Sequence, residues 1–403
     1  MDQAKHNGFY MARQPIYDRS LNLVGYELLY RRSGEAPTSG IDESMEFAAL
    51  ANILVEVGLD KLAGEKMAFV NVPSRLLGAE ALALLPPNRV TIEILEDTPW
   101  NAEVAKQVFQ LKALGYHLAL DDYIFGDEHT PFLDHMETVK IDVMGMHERY
   151  LRDKFASIKR DGQVYLAEKV ETHEMFQLCL ELGFDLFQGY FFAKPNTVRG
   201  TGIPANYAMS ISLLAKLQNP DITVNELDAL IAGNVALCHK VLRLVNSAAM
   251  GLLRPVDSIK QALMFVGTER IRALASLALM TSMPGKLPEL YNLAMIRAKF
   301  CEETARTHGM EAPEKHFTVG LLSILDALTD TPMLEVVSEL PLSKDITDAL
   351  CGLNPGAPCS VTLRQARSIE QGAWDDSLMD DRTSNAYVEA IAWAEEQETA
   401  MAA

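Results

Sequence analysis

Short apolar runs that end in charge recur along the first two hundred residues and then stop. Residues 68–72, 90–95, 117–122, 138–142, 165–170 and 186–192 read as strands. Helical patterns lie between them, at 42–57, 76–85, 101–114, 148–160 and 172–182. Strands that alternate with helices at intervals of roughly 20–30 residues build a parallel sheet, and this many units predict a closed, TIM-like α/β barrel. Residues 8–31 open it as two strands joined by a turn at Asp18-Arg19-Ser20.

Beyond the barrel the period changes. Thr197, Gly200, Gly202 and Pro204 make a linker, and the strand signal nearly vanishes after it. Residues 207–217, 224–232, 235–245, 258–281, 287–307 and 313–328 carry helical periodicity, with shorter helices expected at 333–339, 343–350, 360–371 and 382–398. The expected organisation is a barrel over 1–197, a linker over 198–205 and an all-α domain over 206–403.

Composition excludes several classes. A formal net charge of −19 in 403 residues argues against general nucleic-acid or membrane-surface binding, since phosphates would be repelled. No stretch has the roughly twenty uninterrupted apolar residues of a membrane span, and the polar amino terminus lacks a signal-peptide core. The five cysteines are scattered and odd in number, which fits reduced thiols in a cytoplasmic protein.

The strand tips carry the chemistry. Successive strand residues face opposite ways, so Asp121 and Asp122 can share a site only where their strand ends and bends. Taken singly, each polar residue has an ordinary reading. Glu93 pairs with a barrel-interior cation, Asn71 is a satisfied core amide, Glu27 pairs with Arg31, and Gln188 bonds backbone at a strand end. Taken together, Glu27, Asn71, Glu93, Asp121, Asp122, Lys140, Glu171 and Gln188 fall on successive strands or their tips, which a parallel barrel gathers on one face. So many carboxylates in one place require divalent cations, and oxygen-only ligands favour Mg²⁺ or Mn²⁺ over zinc. Lys140 is then placed to position an attacking water or stabilise charge on a phosphoryl oxygen.

These motifs resemble the EAL domain, the cyclic di-GMP phosphodiesterase module. Gln14-Pro15-Ile16 resembles its opening, and Glu27-Leu28-Leu29-Tyr30-Arg31 its signature, with Leu28 for alanine. Phe69-Val70-Asn71, Glu93-Ile94-Leu95-Glu96, Asp121-Asp122, Val139-Lys140-Ile141-Asp142, Ala167-Glu168-Lys169-Val170-Glu171 and Gln188-Gly189-Tyr190 follow in the family's order. The resemblance implies two ions. One is held by Glu27, Asn71, Glu93 and Asp121, the other by Asp121, Asp122 and Glu171, with Asp121 bridging. It implies catalytic roles for Lys140, Glu171 and Gln188, ligand contacts at Gln14, Arg31 and Asp142, loop support from Glu96 and Glu168, and the linear dinucleotide pGpG as product. Two departures stand out. Residues 123–128 lack the glycine pattern of the family's loop, and Lys169 replaces a glycine.

In the second half, residues 244–251 and 254–267 resemble the HDOD domain, a helical relative of metal-dependent HD phosphohydrolases. Those enzymes need an adjacent His-Asp pair. This chain has none, and reads Ser323-Ile324 at the corresponding place. His239, His308 and His316 remain, with no carboxylate evident to complete a site, so a surface or capping role is expected for them. The resemblance implies a regulatory or protein-interaction module, and the whole chain resembles the YuxH-like bacterial signalling proteins. A protein partner through the helical half and a homodimer are further expectations. Two other readings stay open: a cyclic di-GMP receptor without turnover, and a scaffold that binds no nucleotide.

Overall fold

A computed structural model describes residues 9–32, 58–78, 82, 85–123, 125, 130–194, 205–283, 285–373 and 380–402. The expected helix at 42–57, most of the linker and residues 126–129 lie outside them. By contact the chain divides into two compact units, Met1–Phe191 with Glu370–Gly372, and Phe192–Ile369 with Ala373–Ala403.

The first unit is a closed barrel of eight strands in sequence order. They are β1 (Phe9–Asp18), β2 (Leu23–Arg32), β3 (Met67–Val72), β4 (Val90–Ile94), β5 (His117–Leu120), β6 (Thr138–Asp142), β7 (Val164–Glu168) and β8 (Leu186–Gln188). β2 to β8 run parallel. β1 does not: it is antiparallel to both β2 and β8. Asp18 accepts from the backbone N–H groups of Ser20 and Asn22, so the link to β2 is too short for the crossover that parallel neighbours need.

Two corrections are local. The strand expected over 186–192 stops at Gln188, where Gly189 (φ 146°) turns the chain into the 3-10 helix Tyr190–Ala193. Any β-carbon at 189 would sit 2.2 Å from the Val170 carbonyl oxygen, so only glycine lets β8 close against the segment after β7. Of the helix expected at 76–85, the described residues are 76–78, 82 and 85; Leu76 ends the 3-10 turn Ser74–Leu76 and none of them is α-helical.

Period-two alternation builds the barrel interior in layers. Ile16, Phe69 and Leu166 are buried and pack with Met67 and Leu186 as an apolar floor. Two residues further along their strands, on the same faces, come Asn71, Glu168 and Gln188. The floor closes the polar layer from below and leaves the strand tips as its approach.

The second unit is helical. Residues 224–232 and 235–245 form helices as expected, the first opened by a capping box between Thr223 and Glu226. The expected helix over 258–281 is two, Ile259–Val266 and Thr268–Met280, broken at Gly267, and that over 313–328 splits at Ser323–Ile324. The long helix Pro288–Thr307 is buried along most of its length. Gly320 lies so close to it that a β-carbon would be 2.4 Å from the Arg297 carbonyl oxygen. Among the described residues, no helix is long and apolar enough to cross a membrane.

Candidate metal centre at the strand tips

The centre is built around one ammonium group. Lys140 is fully buried in β6, and its Nζ lies 2.6 Å from Asp121, 2.7 Å from Glu93, 3.0 Å from Glu168 and 3.2 Å from Glu27. These partners come from β5's end, β4, β7 and β2, so the barrel's closure converges them. Backbone bonds extend the register past the strands: Asp121 N–H donates to Ile94 and Tyr123 N–H to the Lys140 carbonyl.

An ammonium has three protons and cannot satisfy four carboxylates. Asp121 accepts a well-formed hydrogen bond from it. Glu93 Oε1 is ion-paired with Nζ at 2.7 Å, while its Oε2 is buried without a hydrogen-bond partner. Glu168 Oε2, Asn71 Oδ1 and Gln188 Oε1 are likewise buried and unpartnered. The remaining polar atoms hold one another: Asn71 donates to Glu27 at 3.0 Å, and Gln188 donates to Glu27 at 2.6 Å and to Gln14 at 2.8 Å.

The imbalance appears in the ionisation of these groups. Burial raises Glu93 well above the ordinary carboxylate range; Lys140 opposes this, and Glu27 and Asp121 add to it. Glu168 is pushed the same way by burial, against Lys140, with Asp121 and Glu27 reinforcing. Burial works against the Lys140 ammonium, but Glu168, Glu27, Glu93 and Asp121 outweigh it and hold its pKa well above normal. The cluster is short of positive charge and has oxygen donors to spare. Glu27, Glu93 and Asp121 each present an oxygen within 4.8 Å of the others. Such a donor set fits a hard divalent cation.

The other expected residues surround this core. Asp122 follows Asp121 in a left-handed backbone conformation (φ 40°), the bend that two adjacent aspartates need to share a site. Half-buried Glu96 is raised by burial and by the charges of Asp122 and Asp121. Asp142 ends β6 and accepts from the Met144 N–H. Glu171 is exposed in the loop after β7, apart from the close trio. Arg31 lies in β2 opposite Tyr10, and its side chain is outside the described residues.

Two residues gain a place that sequence reading did not give them. Glu168, expected only to support a loop, contacts Lys140 directly; its spacing two after inward-facing Leu166 was the signal. Lys169, noted only as a departure from the family pattern, reaches Asp142 at 2.7 Å and Asp122 at 3.4 Å.

In the helical unit the three histidines separate. His316 is buried against Thr362, and His239 lines an open groove of about 460 Å³ with Arg243, Asn246 and Asp257. His308 caps the helix Pro288–Thr307 and meets Asp380 at 3.2 Å. Near Ser323, the Arg297 guanidinium bonds the serine hydroxyl.

Comparison with known proteins agrees with both halves. The EAL domain family matches residues 1–195 and the HDOD domain family residues 203–338. The cyclic di-GMP phosphodiesterase CdgJ of Vibrio cholerae is 32% identical over 376 residues, 91% of this chain and 85% of that protein. The uncharacterized protein YuxH of Bacillus subtilis is 30% identical over 400 residues, 95% of this chain and 97% of that one. Among solved structures, the manganese/cyclic di-GMP complex of Klebsiella pneumoniae BlrP1 matches 46% of this chain and 55% of its own, at 21% identity and a TM-score of 0.38. With similarity running through both units, the chain belongs to the family in which an EAL domain is followed by an HDOD domain.

Proposed function

We propose that the barrel is a metal-dependent phosphodiesterase that hydrolyses cyclic di-GMP to linear pGpG. The observation that carries this is four carboxylates sharing one buried ammonium at the barrel's open end, with oxygen donors left over. The name of the Vibrio cholerae relative supports the substrate.

Glu27, Asn71, Glu93 and Asp121 would hold one Mg²⁺ or Mn²⁺, and Asp121, Asp122 and Glu171 a second. Two such ions supply Lewis-acid charge to a phosphodiester and make a water nucleophilic near neutral pH. The protein's own groups do the rest. Lys140, held protonated by its four neighbours, is a proton donor rather than a base, and it presents fixed positive charge to phosphoryl oxygen. Gln188, anchored by Glu27 and Gln14, turns its free amide oxygen into the site, where it can orient a water. The apolar floor keeps bulk water from the back of the centre. Gln14, Arg31 and Asp142 are the proposed ligand contacts, and Glu96 the proposed support for the loop after β5. We assign the HDOD domain a non-catalytic regulatory or protein-interaction role, and leave the homodimer as a secondary expectation. Among the described residues no helix is long and apolar enough to cross a membrane, and the formal net charge of −19 disfavours general nucleic-acid binding; a cytoplasmic signalling role is part of the proposal.

A second reading has its own support. Lys169 ties two acids of the site's outer edge, which favours a receptor that holds cyclic di-GMP without opening it. Incubating the purified chain with cyclic di-GMP and Mn²⁺, and resolving products by chromatography, decides between them. Release of pGpG that EDTA abolishes supports the phosphodiesterase. Binding without product selects the receptor.

A further inference from the structure

Lys169 sits in a conformation that its side chain makes costly. Its φ is 53°, the left-handed region natural to glycine, and the segment is fixed there by Val170 N–H donating to Gln188 and Phe191 N–H donating to Val170. Its side chain is 45% exposed, so its ion pairs add little to folding. A strained backbone kept for weakly stabilising contacts points to a role at the site rather than in the fold. Those contacts are with the two acids at the outer edge, Asp142 at 2.7 Å and Asp122 at 3.4 Å, whereas Lys140 serves the inner four. The barrel end therefore holds two internal cations, one at each part of the acidic cluster.

We propose that Lys169 is a built-in cation at the outer metal position, so that the barrel takes up one divalent ion readily and a second only when the lysine releases Asp122 and Asp142. This rests on the metal-dependent reading above and adds an order of filling to it. The inner position, with Glu27, Glu93 and Asp121, fills first because four carboxylates there share the single Lys140 ammonium, whereas Lys169 faces only two. The outer position requires an ion to displace a tethered ammonium, a competition between like charges a few ångströms apart.

The test is Mn²⁺ titration calorimetry on the full chain, with no nucleotide present, for the wild type, Lys169→Gly and Lys169→Met. Glycine removes the charge and suits the backbone; methionine removes the charge and keeps the bulk. The wild type is expected to bind about one ion tightly and a second at least roughly tenfold more weakly, and both variants to tighten the second by roughly tenfold or more. Two equally tight ions in the wild type would overturn the proposal. So would tightening in Lys169→Gly alone, since backbone relief rather than charge would then be the cause. If none of the three proteins binds any ion, the metal-dependent reading itself falls, and the inference with it.

Discussion

The two units treat buried charge in opposite ways. In the helical unit the carboxylates are outnumbered: Glu302 meets Arg270 at 3.0 Å, Lys299 at 3.3 Å and Arg306 at 3.4 Å. Glu303 shares Lys299 and Arg306. In the barrel the cation is outnumbered, with four carboxylates around Lys140. The first arrangement neutralises itself and needs nothing from outside, so its chemistry is spent on holding helices together. The second is left with surplus negative charge that only protons or cations can meet. A charge deficit that the fold keeps marks a site; a charge balance that the fold completes marks a scaffold.

Substitutions sharpen the contrast. The largest effect is expected at Lys140. Lys140→Ala leaves four buried carboxylates without their cation, which should cost the metal-free barrel about 3–5 kcal/mol in denaturant unfolding with EDTA present. With Mn²⁺ restored, cyclic di-GMP binding should largely survive while hydrolysis falls by roughly two orders of magnitude or more. Parallel loss of binding and turnover would make Lys140 a ligand anchor instead. Glu302→Gln should cost about 2–3 kcal/mol by breaking a buried network, yet leave Mn²⁺ uptake unaltered. A change in uptake there would erase the distinction between the units. Smaller still, Asp121→Asn should weaken Mn²⁺ binding by roughly tenfold more than Asp122→Asn, because in the proposed arrangement Asp121 would help hold both ions and Asp122 only one. Equal, negligible effects in calorimetry would remove the two-ion arrangement.

Much of this was legible in the residues. The strands announced themselves as short apolar runs ending in charge, and the polar interruptions at Asn71, Glu93 and Lys140 marked the face that turns to the barrel interior. The bend at Asp121–Asp122 followed from adjacency alone. What the sequence hid was distance across the barrel. Glu168 and Lys140 lie on neighbouring strands, but the convergence of four acids on one ammonium depends on the stagger of all the strands at once. The direction of β1 follows from its short turn to β2. In the helical unit, helices were clear from periodicity, while the breaks at Gly267 and Ser323–Ile324 were not, because apolar spacing continues across both.

The measurement closest to the central claim is the unfolding midpoint of the barrel with and without Mn²⁺, at about pH 5 and about pH 7.5, for the wild type and Glu93→Gln. Glu93 and Glu168 are raised above the ordinary carboxylate value of 4.5, so the native state keeps protons that the unfolded chain gives up. Their contribution is therefore lost as pH rises from that value toward their folded pKa, and the metal-free barrel is weakened across that window. An ion takes the place of those protons. Mn²⁺ should raise the wild-type midpoint, by more at the higher pH, and Glu93→Gln should flatten the pH dependence and lose most of the shift. If Mn²⁺ moves neither protein, or moves both equally, the carboxylates around Lys140 are not a metal centre.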